Sequence, residues 1–215
     1  MIYAERLRVH IFCCINGIPP PRWECDYERE AECSERFAAL VADTEMLNIP
    51  DVIHEASASR VLTTVLVQGM TLEKVEQCDQ ATRDAVAAAM MRVTLRELFE
   101  FRFMQTDPNW SNFLYDAPSN QLNLIDFGAT IEYDKEFIDN YIEVIHAAAT
   151  GDEAKCLEWS VATGFLSGGE RTIMQRAHVR AVMALGKPFA TDDKFDFGEQ
   201  DVIEEVKSII PIMLK

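Results

Sequence analysis

Three polar side chains occur in the middle of the chain at spacings that suit phosphoryl transfer. Asp107 is followed five positions later by Asn112, and an apolar segment then ends at Asp126-Phe127-Gly128. Phosphoryl transfer builds negative charge on nucleotide oxygens, so divalent ions must be held against them. Mg²⁺ prefers oxygen ligands and usually takes one or two protein groups together with phosphate and water. We therefore predict that Asn112 and Asp126 bind Mg²⁺ and that Asp107 takes or orients the proton of the acceptor.

A short hairpin is predicted to bring Asn112 and Asp126 together. Residues 113–115 and 122–125 are apolar enough for two strands, and residues 116–120 are rich in Pro, Ser and Asn, as turns are. Together with the Asp-x4-Asn spacing, this arrangement is typical of a protein-kinase-like fold. The alternative is purely structural: Asp107 would cap or break a helix, and Asp126 would occupy a turn.

A second Asp-Phe-Gly triplet shows how weak that motif is by itself. Asp196-Phe197-Gly198 follows a polar segment, residues 191–195, and has no Asp-x4-Asn loop upstream. We therefore interpret this triplet as a structural turn.

Composition excludes several classes of protein. The 215 residues carry a formal net charge of −16 without any block of Lys or Arg, which argues against a nucleic-acid partner. With 48% hydrophobic residues, the chain can bury a core, yet no apolar run reaches the length of a membrane span. The six cysteines lack metal-ligand spacing and are expected to be free thiols; they are Cys13, Cys14, Cys25, Cys33, Cys78 and Cys156.

Periodicity predicts an α+β fold that is mostly helical toward the C-terminus. A β-branched run at residues 61–67 predicts a strand. Apolar residues at helical spacing predict five helices, over residues 26–44, 79–104, 137–150, 153–163 and 170–185.

Glu30 falls on or beside the apolar stripe of the first predicted helix. A carboxylate buried there would be costly unless it had a partner. The other interpretation is an exposed Glu at the edge of the stripe, and the sequence does not choose between the two.

Three segments together resemble the UbiB/AarF-domain (ADCK-like) atypical kinases, and specifically their mitochondrial coenzyme-Q branch. They are Met-Gln-Thr-Asp-Pro-Asn-Trp-Ser-Asn-Phe at 104–113, Leu-Ile-Asp-Phe-Gly-Ala-Thr at 124–130 and Glu-Cys-Asp-Tyr-Glu-Arg-Glu at 24–30. The resemblance extends from about Trp23 to the end of the chain. It implies a protein-kinase-like α+β fold with a helical C-terminal lobe and an incomplete N-terminal lobe.

The resemblance also implies a role for individual residues. Asp107 would be the catalytic-loop aspartate, and Asn112 and Asp126 the Mg²⁺ ligands. Glu30 would pair with the nucleotide-binding Lys of the N-terminal lobe. Glu24 and Asp26 would contact the family's inhibitory K-x-G-Q extension. Leu66, Val67 and Gln68 would form the hinge that binds adenine.

Domain boundaries follow from the same resemblance. Residues 1–22 would be an atypical segment, 23–70 a remnant of the kinase-like N-terminal lobe and 71–215 the C-terminal lobe. No lysine precedes Lys74, but Arg22 or Arg29 could pair with Glu30 in place of the Lys. The chain is then an N-terminally truncated kinase or ATPase, or alternatively an inactive interaction module or a gene-model fragment lacking the nucleotide loop and Lys.

The cellular role implied by the resemblance is support of ubiquinone biosynthesis with ATP and Mg²⁺ as cofactors. Expected partners are a nucleotide, coenzyme-Q biosynthetic proteins and lipid intermediates, at a peripheral site on the matrix side of the mitochondrial inner membrane. No A-P-E-type activation segment follows Gly128, so a small or lipid-linked acceptor is expected rather than a peptide. The first 21 residues carry Arg6 and Arg8 but no clear targeting signal.

Overall fold

The computed structural model describes residues 26–107, 109–196 and 202–213, which fall into two compact units, 26–133 and 134–213. The predicted lobe boundary after residue 70 lies inside the first unit and stays a prediction. Outside the described residues lie the 1–22 segment, the predicted regulatory residue Glu24, and Phe197 and Gly198 of the second triplet.

The first unit combines helices with short strands. Its helices are α1 (Tyr27–Leu40), α2 (Leu72–Val75) and α3 (Gln80–Leu95), the last continuing as a π-helix, Arg96–Phe101. Its strands are β1 (Leu47–Asn48), β2 (Met70–Thr71), β3 (Phe103–Gln105), β4 (Phe113–Asp116), β5 (Gln121–Leu124) and β6 (Thr130–Glu132). Single turns of 3₁₀-helix occur at His54–Ala56 and Trp110–Asn112.

The strands form two small sheets on which the candidate site is built. One has the order β1-β5-β4-β2, with β4 and β5 antiparallel and Phe113 opposite Leu124. The other is the antiparallel pair β3–β6, in which Gln105 lies opposite Thr130. The predicted hairpin over residues 113–125 is therefore confirmed.

Helix α1 begins and packs as its sequence predicts. Asp26 caps it by accepting a hydrogen bond from the main-chain N–H of Arg29 at 3.1 Å. Cys33, Phe37 and Val41 of the predicted stripe are buried in the core of the first unit. The regular helix ends at Leu40 and is followed by a turn, slightly before the predicted end.

The long helix predicted over residues 79–104 is right up to Phe101 and wrong beyond it. Arg102 takes a left-handed conformation with φ of 54°, which ends the helical path. Residues 103–105 then pair with β6 as a strand. Val86 and Val93 of α3 are buried in the core of the first unit.

The strand predicted over residues 61–67 is also wrong. Only isolated bridges form there, between Val52 and Thr64 and between Ala58 and Val61. Val61, Val65 and Leu66 are exposed. A β-branched run becomes a strand only where a neighbouring strand can pair with it along its length, and the described chain supplies only short contacts.

The second unit is helical. It contains α4 (Lys135–Ala149), α5 (Glu153–Ala162), α6 (Thr172–Gly186), a 3₁₀ turn (Lys187–Phe189) and α7 (Val202–Met213). The three predicted helices in this region are confirmed to within two residues. Within the ranges given above, no helix is long and apolar enough to cross a membrane, and Cys33, Cys78 and Cys156 are free thiols.

Gly186 allows close packing in the second unit. A Cβ atom added there would lie 2.4 Å from Cβ of Ala148 and 3.0 Å from its carbonyl carbon. We expect Gly186→Ala to lower the free energy of unfolding in urea by about 1–3 kcal/mol, because overpacking outweighs the gain in helix propensity.

The matched control is Gly169→Ala, since a Cβ there meets only the Ser167 hydroxyl at 3.7 Å. Its free energy of unfolding should change by less than about 0.5 kcal/mol. Equal or greater stability of Gly186→Ala than of the wild type would contradict this account of the packing.

Candidate functional site

Asp107 and Asn112 are joined by their side chains. Nδ2 of Asn112 donates to Oδ2 of Asp107 at 3.1 Å and to the Asp107 carbonyl oxygen at 3.3 Å. Asn112 is buried at the end of the 3₁₀ turn, which Asn109 caps by accepting from Ser111 N. Because both amide contacts are made by the nitrogen, the oxygen of Asn112 is left to bind another group.

The β4–β5 hairpin brings Asp126 beside this pair. Ile125, which precedes Asp126, donates its N–H to the carbonyl oxygen of Asn112 at 3.0 Å. Oδ1 of Asp126 accepts from the N–H of Gly128 at 3.0 Å, which orients the carboxylate within its own turn. The hairpin thus places the predicted metal ligands next to each other at its open end, where Phe113 pairs with Leu124.

A second main-chain connection ties the two loops together from the other side. Thr106 donates through its N–H and its hydroxyl to the carbonyl oxygen of Ala129, at 3.4 and 2.7 Å. The flanking residues Gln105 and Thr130 are paired between β3 and β6. The segment that precedes Asp107 is therefore hydrogen-bonded to the segment that follows Asp126.

Phe127 anchors the turn that carries Asp126. Its ring is 2% exposed and lies 5.1 Å from the ring of Phe37 on α1, centroid to centroid. The hydroxyl of the buried Thr130 donates to the Phe127 carbonyl oxygen at 2.8 Å. The aromatic contact therefore joins the turn that carries Asp126 to the helix that carries Glu30.

The side chain of Arg29 binds the main chain of the same turn. Its Nη1 donates to the carbonyl oxygen of Gly128 at 3.0 Å, and its Nη2 donates to that of Thr130. A guanidinium suits this task because its donors lie in one plane and reach two acceptors at once. Arg29, one of the two arginines considered as partners for Glu30, thus supports the backbone around Gly128.

Glu30 lies half-buried beside the turn, which decides between the two interpretations of its position. A Cβ on Gly128 would be 3.5 Å from Oδ1 of Asp126 and 3.6 Å from Oε2 of Glu30, so the two carboxylates flank the same glycine. Burial, and then the charge of Asp126, raise the pKa of Glu30, while the Phe127 N–H and Arg29 lower it. Among the residues described, Glu30 forms no ion pair.

The other predicted site residues occupy the edges of the region. Asp26 caps α1, and the inhibitory contact assigned to it stays a prediction. Leu66 is 84% exposed, and the carbonyl oxygen of Gln68 accepts from Nδ2 of Asn123 at 3.1 Å. The hinge role of Leu66, Val67 and Gln68 stays a prediction as well.

An open cleft of about 400 Å³ lies next to the carboxylates. Glu30 and Ile125, the residue before Asp126, form the part of the wall nearest the site. The rest of the lining comes from the start of α1 and from the segment before the predicted hinge: Tyr27, Arg60, Val61, Leu62 and Thr64. The wall of the cleft thus combines apolar and charged side chains.

The donor set fits Mg²⁺. Asn112 offers an amide oxygen and Asp126 a carboxylate, both hard oxygen ligands. No group of three or more His, Cys, Asp and Glu residues that could hold a metal ion occurs in the described ranges. A site with so few protein ligands suits an ion that takes most of its ligands from phosphate and water.

Glu97 is a buried carboxyl beside the strand that leads into Asp107, and sequence patterns did not single it out. It is 4% exposed in the π-helix, and its Oε1 accepts from the N–H of Gln105 at 3.2 Å. Burial raises its pKa to about 8, and the hydrogen bond from Gln105 only partly opposes this. Glu97 therefore supports the strand that leads into Asp107.

Sequence reasoning also missed the cleft residues Tyr27 and Arg60. Tyr27 precedes Glu30 by three positions on α1, so helical spacing could have placed both on one face. Arg60 gave no such signal, because it lies in a turn outside any helix or strand.

The family is decided by a match over most of the chain. Residues 21–160 match the ABC1 atypical kinase-like domain. The chain belongs to this family. The resemblance to atypical kinases predicted from residues 104–113 and 124–130 is thereby confirmed.

Curated relatives from distant organisms share this similarity. The chain is 49% identical over 193 residues to "Atypical kinase COQ8B, mitochondrial" of Danio rerio, covering 90% of this chain and 31% of that protein. It is 44% identical over 195 residues to "Atypical kinase COQ8, mitochondrial" of Schizosaccharomyces pombe, covering 90% and 32%. The chain thus spans about a third of the length of these relatives.

A solved structure supports the fold. Rv3197 of Mycobacterium tuberculosis, solved in complex with erythromycin, matches with a TM-score of 0.63 and 18% identity, covering 89% of this chain and 54% of that chain. Together with the domain match, this confirms the predicted kinase-like α+β fold.

The raised pKa of Glu97 predicts a pH-dependent stability. An unfolded Glu loses its proton near pH 4.5, whereas folded Glu97 keeps it to about pH 8, so the folded state binds more protons in this interval. Wild-type stability should therefore fall between these pH values relative to Glu97→Gln. At about 1.4 kcal/mol per pKa unit, the difference should grow by up to about 5 kcal/mol.

Urea unfolding of both proteins at a series of pH values measures this difference. Glu76→Gln is the control, because it makes the same replacement at an exposed position. A constant difference between wild type and Glu97→Gln from pH 5 to 8 would show that Glu97 is ionised in the folded state.

Proposed function

We propose that this protein binds Mg-ATP and acts as an atypical kinase or ATPase. The observation that carries the proposal is the arrangement of Asp107, Asn112 and Asp126. The side chains of Asp107 and Asn112 are in direct contact, and main-chain hydrogen bonds join their segments to the segment that carries Asp126. A structural turn alone does not require a buried amide aimed at an aspartate beside a second, oriented aspartate. The ABC1 atypical kinase-like domain match supports the same conclusion.

Each residue has a distinct task in this proposal. Asn112 and Asp126 hold the Mg²⁺, which when bound neutralises charge on the nucleotide phosphates. Oδ2 of Asp107 is held by Asn112, so its Oδ1 is the atom that orients the acceptor hydroxyl or water and takes its proton. Val61, Leu62 and Ile125 offer apolar surface to the nucleoside, with Leu66, Val67 and Gln68 as the hinge beside them.

The short segment after the Asp126 turn supports a small acceptor. Residues 130–132 pair with β3, and α4 begins at Lys135, so few residues are available for a peptide platform. Protein kinases place a longer activation segment at this point. We therefore favour a small-molecule or lipid-linked acceptor, or water.

The cellular part of the proposal comes from the relatives. Their names describe mitochondrial atypical kinases of the COQ8 group. We infer a role in coenzyme Q biosynthesis at the matrix side of the mitochondrial inner membrane, with biosynthetic proteins and lipid intermediates as partners. Contact of Glu24 and Asp26 with a K-x-G-Q segment belongs to the same inference.

An interaction module without catalysis is the alternative. It is favoured by Glu30, whose carboxylate has no ion-pair partner among the described residues although kinase-like sites pair this Glu with a nucleotide-binding Lys. Catalytic groups often act as a unit, so one missing partner can remove most of the rate.

Calorimetric titration of the 215-residue chain with ATP, with and without Mg²⁺, tests the proposal. We expect Mg²⁺-dependent binding, weakened about 10- to 100-fold in Asp126→Asn because a charged ligand is lost. Asp196→Asn, in the second Asp-Phe-Gly triplet, is the matched control and should bind as the wild type does. Absence of wild-type binding by folded protein would favour the interaction module.

A further inference from the structure

Arg60 is a cation in the wall of the cleft. Within residues 26–107, 109–196 and 202–213, its side chain takes part in no hydrogen bond and no ion pair. This is unexpected in a chain with 36 acidic and 20 basic residues, where a carboxylate partner is easily found. The cleft that Arg60 lines also contains Glu30 and Ile125, so it continues into the proposed nucleotide site.

The main chain presents Arg60 from a braced turn. Ala58 and Val61 exchange two main-chain hydrogen bonds, of 2.8 and 2.9 Å, across Ser59 and Arg60. The hydroxyl of Ser57 donates to Ile53 O at 2.9 Å and accepts from Thr63 N at 3.0 Å. A residue held in this way loses less conformational entropy when it binds a ligand.

The charges around the cleft define what Arg60 can bind. Glu30 and Asp126 flank Gly128, so the region already contains negative charge that repels an anionic ligand. A nucleotide needs positive charge there beyond that of its metal ion. Arg29 donates to the carbonyl oxygens of Gly128 and Thr130, which leaves Arg60 as the cation in the described wall of the cleft.

We propose that Arg60 binds the phosphate groups of the nucleotide. The proposal rests on the proposed function and adds the residue that distinguishes a nucleotide from its nucleoside. The guanidinium matches phosphate because its parallel N–H groups donate to two oxygens at once. Tyr27, Val61 and Leu62 contact the uncharged part of the ligand in the same cleft.

The experiment compares ligands that differ only in charge. ATP, ADP and adenosine are titrated calorimetrically into wild type, Arg60→Ala and Arg60→Lys in the presence of Mg²⁺. The control is Arg92→Ala, which removes an exposed arginine on α3, outside the cleft. Circular dichroism confirms that each variant is folded.

We expect Arg60→Ala to weaken ATP binding by about 10- to 100-fold and to leave adenosine binding unchanged, because only phosphate contacts are lost. The ATP affinity of Arg60→Lys should lie between those of the wild type and Arg60→Ala, since a lysine keeps the charge but lacks the paired N–H donors of the guanidinium. Arg92→Ala should bind all three ligands as the wild type does.

Two results would overturn the role of Arg60, and both can be distinguished from a result that overturns nucleotide binding by the protein. Unchanged ATP affinity in Arg60→Ala, or an equal loss for ATP and adenosine, would remove the phosphate role while leaving nucleotide binding intact. If folded wild type binds no ATP, the proposed function fails and the role of Arg60 fails with it.

Discussion

The contact between Phe127 and Phe37 is the interaction on which the site depends. Phe127 lies between Asp126 and Gly128, and Phe37 is two turns along α1 from Glu30. Burying both rings fixes the turn against the helix, and the hydrogen bonds of Arg29 and Thr130 then set its main chain. A change in this apolar packing would move the carboxylates, although neither ring takes part in chemistry.

The pKa values of the carboxyl groups differ according to their surroundings in the fold. The exposed Glu132 is paired with Arg36 through two hydrogen bonds of 2.8 Å, which lowers its pKa. Glu97 is buried and has no such cation in the part of the chain that the structure describes, so its protonated form is favoured. Glu30 and Asp126 stay partly accessible beside the cleft, where bound cations can offset their charge.

The accuracy of sequence-based prediction varied with the range of the interactions involved. The hairpin over residues 113–125 and the helices of the second unit were predicted well, because their signals lie in adjacent residues. The strand over 61–67 and the end of the helix before Phe103 were predicted wrongly. Residues 103–105 form a strand because they pair with residues 130–132, far away in the chain, whereas residues 61–67 have only isolated bridges and no strand beside them. Local propensity does not contain that information.

The kinase-like family could be predicted from the amino-acid sequence, because Asp107, Asn112 and Asp126 are recognised by their spacing and by the hairpin between them. The three-dimensional structure was needed to show that Glu30 and Asp126 flank Gly128, that Glu97 is buried and that Arg60 lines the cleft. These features depend on burial and charge environment, which arise from neighbours that are remote in sequence. Spacing names the groups that can do chemistry, and packing sets the surroundings in which they do it.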